Sequence, residues 1–203
     1  MRMLYGESPE IQVGIDEAGR GCMIGPVIAA AVIWDPNISG EGIKDSKKLS
    51  RKKRAEMRKY IEEHAIAYGV GMASSVEIDD INILNATYLA MHRALDSIVV
   101  PYDRILVDGD RFRSYTKPES INTHVPHVCL PSGDDTYVSI AAASILAKEV
   151  HDDWIMEHYG SDTLYDLPNN RGYGTKRHME GLRSHGMTKD HRRSFQMKNK
   201  KTI

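Results

Sequence analysis

Residues 14–32, GIDEAGRGCMIGPVIAAAV, contain two apolar runs separated by a glycine-rich bend. The run at residues 11–15 predicts a strand, and this strand leads directly into Asp16 and Glu17. The β-branched run at residues 27–34 predicts a second strand. Because a short bend joins the two runs, we expect an antiparallel hairpin that carries two carboxylates where its first strand ends.

The rest of the chain alternates between helical and extended patterns. Apolar residues spaced three and four apart predict helices at residues 50–67, 79–99, 133–157 and 176–185. Short β-branched runs predict strands at residues 66–74, 104–108 and 124–130, and residues 167–174 are expected to form a loop. Ser50 is suited to cap the first helix. This alternation, combined with the hairpin, predicts an α/β fold with a mixed sheet.

Four carboxylates stand at structural breaks, where side chains can project from a strand end or a helix start: Asp16, Glu17, Asp108 and Asp134. Magnesium takes oxygen ligands, and a pair of ions clamps the two reacting oxygens of a phosphodiester. Taken singly, however, Asp108 also fits a turn residue before Gly109, and Asp134 fits an acid at a helix N-terminus. The pattern therefore predicts a metal site only when the four are considered together.

The glycine-rich bend Gly19-Arg20-Gly21 precedes a strand, so it does not fit a dinucleotide-binding loop, which requires a helix to start at the glycines. Glycines here permit a close backbone approach to a ligand, and Arg20 is suited to meet a phosphate or a sugar. Lys47 precedes a predicted helix N-terminus, which is a natural place for a phosphate contact. An exposed capping segment is the ordinary alternative for Lys47.

Charge is unevenly distributed along a chain whose formal net charge is −1. Residues 44–59 contain nine Lys or Arg and two acidic residues, and residues 171–201 contain ten and two. Basic surface beside a separate acidic cluster suits an enzyme that binds phosphates with one set and metal ions with the other. Two solvated helix faces are the alternative explanation of the basic segments.

Several function classes are excluded by what the sequence lacks. Cys22 and Cys129 belong to no Cys-x-x-Cys pair, so unbridged buried thiols are expected, and the nine histidines match no usual zinc spacing. Phosphate-binding Walker loops, nucleophile elbows and His-Glu-x-x-His helices do not occur. The longest apolar stretch, residues 25–34, is too short to span a membrane, and the N-terminus has no signal-peptide pattern. We therefore expect a cytoplasmic protein with no membrane partner.

Seven blocks of sequence, in order along the chain, resemble the ribonuclease HII family, the type 2 ribonucleases H. They are GIDEAGRGCMIGPVIAAAV at 14–32, DSKKLS at 45–50, INILNAT at 81–87, LVDGD at 106–110, SGDDTYVSIAAASILAKEV at 132–150, RGYGT at 171–175 and HRRSF at 191–195. The resemblance covers nearly the whole chain. It implies a ribonuclease H-like fold, with a five-stranded mixed sheet flanked by helices and a helical C-terminal extension. The implied arrangement is a catalytic domain at residues 1–160, with a substrate-binding extension at 161–203 packed on it, in a monomer.

The resemblance also implies a set of site residues. By residue match the catalytic and metal-binding carboxylates are Asp16, Glu17, Asp108 and Asp134, with Asp135 as the neighbouring alternative to Asp134. Two divalent ions, Mg²⁺ or Mn²⁺, are the implied cofactors. The implied substrate-binding residues are Gly19, Arg20, Gly21, Lys47 and Tyr173. Among these, the glycine bend and Tyr173 resemble the family's sensor of the ribose 2′-hydroxyl, which distinguishes RNA from DNA.

The implied activity is hydrolysis of the RNA strand of RNA/DNA hybrids and cleavage 5′ of ribonucleotides embedded in duplex DNA. The two-metal mechanism implies products with 5′-phosphate and 3′-hydroxyl ends. Two other classes stay open: an inert protein that binds the hybrid without cutting it, and a nuclease for another substrate such as a DNA junction.

The chain departs from the family pattern directly after the fifth block. It has His151 before Asp152 where the family usually has an Arg-Asp pair. We expect this change to weaken a salt bridge that arginine normally makes. The short tail and the overall pattern also suggest an archaeal protein.

Overall fold

The computed structural model of the chain describes residues 1–6, 10–117 and 124–195. Five strands form one sheet: β1 Gln12–Ala18, β2 Val27–Ile33, β3 Ala67–Ala73, β4 Arg104–Asp108 and β5 His127–Leu130. Their order across the sheet is β3-β2-β1-β4-β5. Strand β2 runs antiparallel to β1 and β3, whereas β1, β4 and β5 run parallel to one another. The expected hairpin and the five-stranded mixed sheet are confirmed.

The described helices are α1 Arg51–His64, α2 Ser75–Asp96, α3 Val138–Tyr159, α4 Leu167–Asn170 and α5 Lys176–His185. Two short 3₁₀ turns, Ser46–Lys48 and Gly133–Asp135, precede α1 and α3. Ser50 caps α1 as predicted, because its side chain accepts a hydrogen bond from the Lys53 backbone N–H at 3.3 Å. None of the helices in the described ranges combines the length and apolar character that crossing a membrane requires.

Helices cover both faces of the sheet. Alternate residues of β2 point to opposite sides, so Val27 and Ala29 join a core cluster with α2, whereas Ile28 and Ala30 join another with α1 and α3. Every residue of β2 is buried, because a strand packed on both faces has no solvated side. This explains why its sequence is continuously apolar.

Close packing between α3 and β1 depends on Gly14. A Cβ atom at this position would lie 2.4 Å from the backbone carbon of Ser139, at the start of α3. Since backbone cannot move away as a flexible side chain does, the residue two positions before Asp16 must be glycine for α3 to approach this closely. Gly14 thereby brings α3 against the strand that ends in Asp16.

Helix α2 begins four residues before the predicted start at Asp79. Ser74 and Glu77 form a capping box, in which each side chain accepts the other's backbone N–H. Asn82 then adopts φ 66° and ψ 163°, which are not helical angles, and its side chain accepts the N–H groups of Leu84 and Asn85. The predicted helix at 79–99 is therefore wrong at its start and contains a kink.

The helix predicted at residues 133–157 does not begin at Gly133. Ser132 lies in the left-handed region, residues 133–135 form a single 3₁₀ turn, and Tyr137 is extended before α3 begins. Asp134 therefore lies in a turn and not in the first turn of a helix. Strand β5 likewise begins three residues later than predicted, after Pro126, whose nitrogen has no hydrogen to donate. The predicted loop at 167–174 contains the short helix α4.

Candidate active site

Two carboxylates meet where the pairing of β1 with β4 ends, just beyond Ile15 and Val107. The two strands are parallel neighbours, so Asp16 and Asp108, the next residues, lie side by side. The predicted end of the first strand at residue 15 is wrong, because β1 continues beside β2 to Ala18 and contains Asp16 and Glu17. Asp16 is buried and accepts the backbone N–H of Glu17 at 2.7 Å. Asp108 accepts the backbone N–H of Gly133 at 2.8 Å, which ties the end of β4 to the turn after β5.

The turn at residues 133–135 brings a third carboxylate to this edge. Asp134 is buried, and one oxygen from each of Asp16, Asp108 and Asp134 lies within 4.8 Å of the others. We call these three residues the carboxylate cluster. Asp135, the residue after Asp134, is exposed and forms an ion pair with Lys48 at 2.5 Å. The structure therefore brings Asp134, and not Asp135, to the strand ends.

Electrostatics in the carboxylate cluster favour a cation. Burial, followed by the charges of Glu17 and Asp108, raises the pKa of Asp16 well above its usual range. Burial, followed by the charge of Asp108, raises the pKa of Asp134 to about 6. The nearest paired cation is Lys47, whose Nζ lies 4.0 Å from Asp134 and whose side chain is mostly exposed. These carboxylates lack the positive charge that would keep them ionised in a buried site.

Glu17 lies beside the carboxylate cluster but is not part of it. Its Oε1 forms an ion pair with Arg20 Nη1 at 3.1 Å, and burial raises its pKa against the opposing effect of that arginine. Both residues line a cavity of about 320 Å³ that also includes Asp108 and Asp110. Glu17 can therefore reach a ligand that enters this cavity.

The carboxylate cluster fits a divalent metal ion. Hard cations such as Mg²⁺ and Mn²⁺ prefer carboxylate oxygens, and three such oxygens converge here from three different chain segments. Burial first, and neighbouring carboxylates second, raise the pKa of Asp16 and Asp134, and a bound cation would oppose both effects. The donor set therefore agrees with the metal type expected from the sequence.

The glycine bend and Tyr173 lie against each other. The backbones of Cys22 and Tyr173 form an isolated antiparallel bridge, and a Cβ atom on Gly21 would lie 3.6 Å from the Tyr173 ring. Gly19 has φ +86°, and a Cβ there would collide with the His151 ring at 2.5 Å. Tyr173 is 43% exposed, so its ring presents a surface beside the bend.

Comparison with known proteins agrees with this geometry. A family model described as Ribonuclease HII matches residues 13–198. The chain belongs to the ribonuclease HII family. A Ribonuclease HII from Parabacteroides distasonis is 47% identical over 96% of this chain and 94% of its own. A Ribonuclease HII from Bacteroides fragilis is 46% identical over 92% of this chain and 90% of its own. The family consists of metal-dependent endoribonucleases that act on RNA/DNA hybrids.

Solved structures show the same fold. The ribonuclease H2 from Pyrococcus horikoshii has a TM-score of 0.67 at 22% identity, covering 91% of this chain and 93% of that one. The ribonuclease HII in a PCNA complex from Archaeoglobus fulgidus has a TM-score of 0.66 at 25% identity, covering 95% and 98%. The ribonuclease H-like fold is confirmed. The suggestion of an archaeal protein is wrong, because the curated relatives at 43–47% identity are bacterial.

A basic cleft, which we define by Arg51, Arg54, Lys148 and Arg171, adjoins Tyr173 in this ribonuclease HII. These residues and Asp152 line a cavity of about 440 Å³. The expected loss of a salt bridge at His151 leaves Asp152 well paired, because Lys148 Nζ lies 2.6 Å and Arg54 Nη2 lies 3.5 Å from its carboxylate. The predicted basic segments thus contribute to one cleft, although residues 196–201 lie outside the described residues.

Sequence reasoning missed three buried residues of the C-terminal segment. All three are at most 1% exposed: His178, His191 and Arg192. They form hydrogen bonds with one another, with the glycine bend, or with the loop at residues 171–175, which we call the Tyr173 loop. His191 and Arg192 belong to the HRRSF block, so the resemblance indicated their segment but assigned them no role. The sequence contained no other signal for them, since their partners are distant along the chain.

Proposed function

We propose that this ribonuclease HII hydrolyses the RNA strand of RNA/DNA hybrids and also cuts 5′ of single ribonucleotides embedded in duplex DNA. The proposal depends chiefly on one observation. The short stretch from Asp16 to Cys22 connects the carboxylate cluster and the Tyr173 surface: Asp16 belongs to the cluster, and the backbone of Cys22 pairs with that of Tyr173, so groups suited to phosphate chemistry and to sugar recognition are neighbours.

The carboxylate cluster would hold the cofactor, Mg²⁺ or Mn²⁺, with two ions per site and with Glu17 as a further ligand. Bound divalent ions lower the pKa of a water molecule and offset charge on the phosphate under attack. Asp16 and Asp108 are fixed at strand ends by hydrogen bonds from backbone N–H groups, so their oxygens are oriented before a cation arrives. We propose products with 5′-phosphate and 3′-hydroxyl ends.

The glycine bend and Tyr173 would recognise the ribose. Gly21 exposes backbone without a side chain, and the partly exposed Tyr173 offers a hydroxyl and a ring that can pack on a sugar. Arg20 is half exposed next to this surface and is held by Glu17, which links the sugar side to the carboxylate side. A DNA strand lacks the 2′-hydroxyl that this surface would contact.

Phosphates would bind on either side of the cluster. Lys47 is mostly exposed and 4.0 Å from Asp134, which suits a contact to a phosphate near the metal ions. The basic cleft suits a phosphate further along the duplex, beyond Tyr173. We also propose that the protein acts as a monomer, with residues 1–160 as the catalytic domain and 161–203 as the extension that completes the substrate surface.

A cleavage assay with three labelled duplexes tests the proposal. The substrates are an RNA/DNA hybrid, a DNA duplex with one ribonucleotide and an all-DNA duplex, each with Mg²⁺, Mn²⁺ or EDTA. We expect the first two to be cut with either metal, the third to remain intact, and EDTA to abolish cleavage. Mapping the ends against synthetic markers checks the cut on the 5′ side. Binding of the hybrid without cleavage would favour the inert protein, and cutting of the all-DNA duplex would favour another nuclease class.

A further inference from the structure

Two adjacent residues of the C-terminal segment connect to different parts of the proposed sugar-recognition surface. His191 reaches the Tyr173 loop through His178, and Arg192 reaches the glycine bend directly. The backbone joins the same parts, because Met23 donates to the Gly172 carbonyl at 2.8 Å and accepts from the Arg192 N–H at 2.9 Å. The chain after the glycine bend therefore lies between the Tyr173 loop and residues 191–192.

The contacts of the two histidines assign a direction to their hydrogen-bond chain. His191 Nδ1 accepts the backbone N–H of Thr188 at 2.9 Å and also lies 2.8 Å from the Thr188 hydroxyl; because the backbone N–H can only donate, we place the ring proton on Nε2. His178 Nδ1 lies 3.0 Å from the Tyr173 carbonyl, which can only accept, so Nδ1 carries the proton of that ring. His191 Nε2 must then donate to His178 Nε2 across 3.1 Å. Both rings are neutral, and the chain ends on the Tyr173 backbone.

Arg192 fixes the other side of the surface. Its side chain is fully buried, and it donates to three backbone carbonyls at 2.9 Å each, those of Arg20, Gly25 and Pro26. These carbonyls bracket the bend between β1 and β2. A planar guanidinium can contact several carbonyls in fixed directions at once, which a lysine ammonium on a flexible stem cannot do. Arg192 therefore holds the segment between β1 and β2 in shape from its buried side.

We infer that His178, His191 and Arg192, which we call the clamp, are positioning residues that hold the Tyr173 loop and the glycine bend at one spacing. This spacing sets how efficiently the enzyme cuts at a ribose. The inference rests on the proposed function, since it assumes that these two loops contact the sugar. The clamp residues are buried and lie outside the carboxylate cluster. It acts through the Tyr173 backbone on one side and the Arg20 backbone on the other.

Two substitutions at His191 separate positioning from simple packing. His191→Phe keeps a ring but removes the donor to His178, whereas His191→Gln keeps an N–H at the position of Nε2. We expect His191→Phe to lower kcat at a single ribonucleotide by about tenfold, with a change in KM below about threefold, and His191→Gln to restore most of it. His185→Phe, on the same helix as His178 but exposed, is the matched control and should behave as the parent.

A double-mutant cycle with Tyr173→Ala shows whether the clamp acts through the Tyr173 side chain. If it does, His191→Phe has little further effect once that side chain is absent, because there is nothing left to position. Additive losses in the double variant would overturn the inference. Thermal unfolding of each variant accompanies the assay, so that a loss caused by unfolding is recognised.

Nitrogen NMR of the unsubstituted protein tests the hydrogen-bond chain without any variant. We expect the proton on Nδ1 of His178 and on Nε2 of His191 at neutral pH. The opposite tautomer at either ring, or a charged ring, would contradict the chain and the inference with it. The proposed function has a separate readout in the parent enzyme. A parent that cuts at the ribonucleotide together with an equally active His191→Phe overturns the clamp alone, whereas an inactive parent overturns the proposed function.

Discussion

The carboxylate cluster and the clamp are both buried and polar, but they are built on opposite principles. In the cluster, three carboxylates converge within 4.8 Å, and burial together with neighbouring carboxylates raises the pKa of Asp16 and Asp134. In the clamp, every hydrogen bond described above pairs a donor with an acceptor, and the single charge of Arg192 meets three carbonyl dipoles. A bound cation would offset the charge of the cluster, whereas the hydrogen bonds of the clamp are already formed within the protein.

This difference predicts opposite costs for substitutions. A neutral residue in the cluster should lower activity but relieve repulsion, so the metal-free protein should gain stability. Substitutions in the clamp should lower both activity and stability. They leave buried donors or acceptors without partners, which costs about 1–3 kcal/mol of stability for each unpaired group.

Asp108→Asn should lower cleavage of the hybrid by about a hundredfold or more, because it removes one ligand charge from the metal site. The asparagine oxygen can still accept the Gly133 N–H, so the fold should remain intact. Initial rates with saturating Mg²⁺, and hybrid affinity from gel shifts, measure the effect. A folded variant with near-parental turnover would exclude Asp108 from the site.

Asp134→Asn and Asp135→Asn form a matched pair that differs by one position. Asp134 belongs to the carboxylate cluster and Asp135 pairs with Lys48 on the surface. We expect Asp134→Asn to lose at least about tenfold in kcat and Asp135→Asn to lose less than about threefold. Equal losses in the two variants would show that membership of the carboxylate cluster does not distinguish Asp134 from Asp135 in catalysis.

Tyr173→Ala should reduce cleavage at a single ribonucleotide by about tenfold, since it removes both the hydroxyl and the ring that face the sugar. Tyr173→Phe retains the ring and separates packing from hydrogen bonding. Cleavage of the single-ribonucleotide duplex is compared for the three proteins at equal metal concentration. If Tyr173→Ala cuts at the parental rate, recognition of the 2′-hydroxyl must depend on the glycine bend alone.

The sequence predicted the strand ends better than the turns. Asp16 and Asp108 follow short β-branched runs, and parallel neighbours place such ends together, so local patterns were sufficient for this half of the site. The setting of Asp134 was not predictable in this way. It depends on the left-handed backbone of Ser132 and the extended Tyr137, at residue types that do not require either conformation.

The clamp could not be predicted, because its contacts connect residues far apart in the chain. Arg192 bonds to Gly25, which lies 167 residues earlier, and no spacing rule relates the two. The basic composition of residues 171–201 suggested a solvated or phosphate-binding segment, yet Arg192 within it is fully buried. Composition indicates average exposure, and a single buried arginine is an exception that only tertiary structure reveals.

The smallest expected effect concerns stability without metal. The folded-state pKa of Asp134, about 6, lies above the usual value, so the folded protein retains its proton to higher pH than the unfolded chain. The free energy of unfolding should therefore fall as pH rises through about 4 to 6. Asp134→Asn carries no such charge. In EDTA at pH 7.5 we expect its Tm to exceed that of the parent by roughly 2 °C, and the two values to converge near pH 4.5. Added Mg²⁺ should stabilise the parent more than the variant, because only the parent keeps its full ligand set. If the parent is more stable than Asp134→Asn in EDTA at pH 7.5, the ionised carboxylates of the cluster do not destabilise the folded protein.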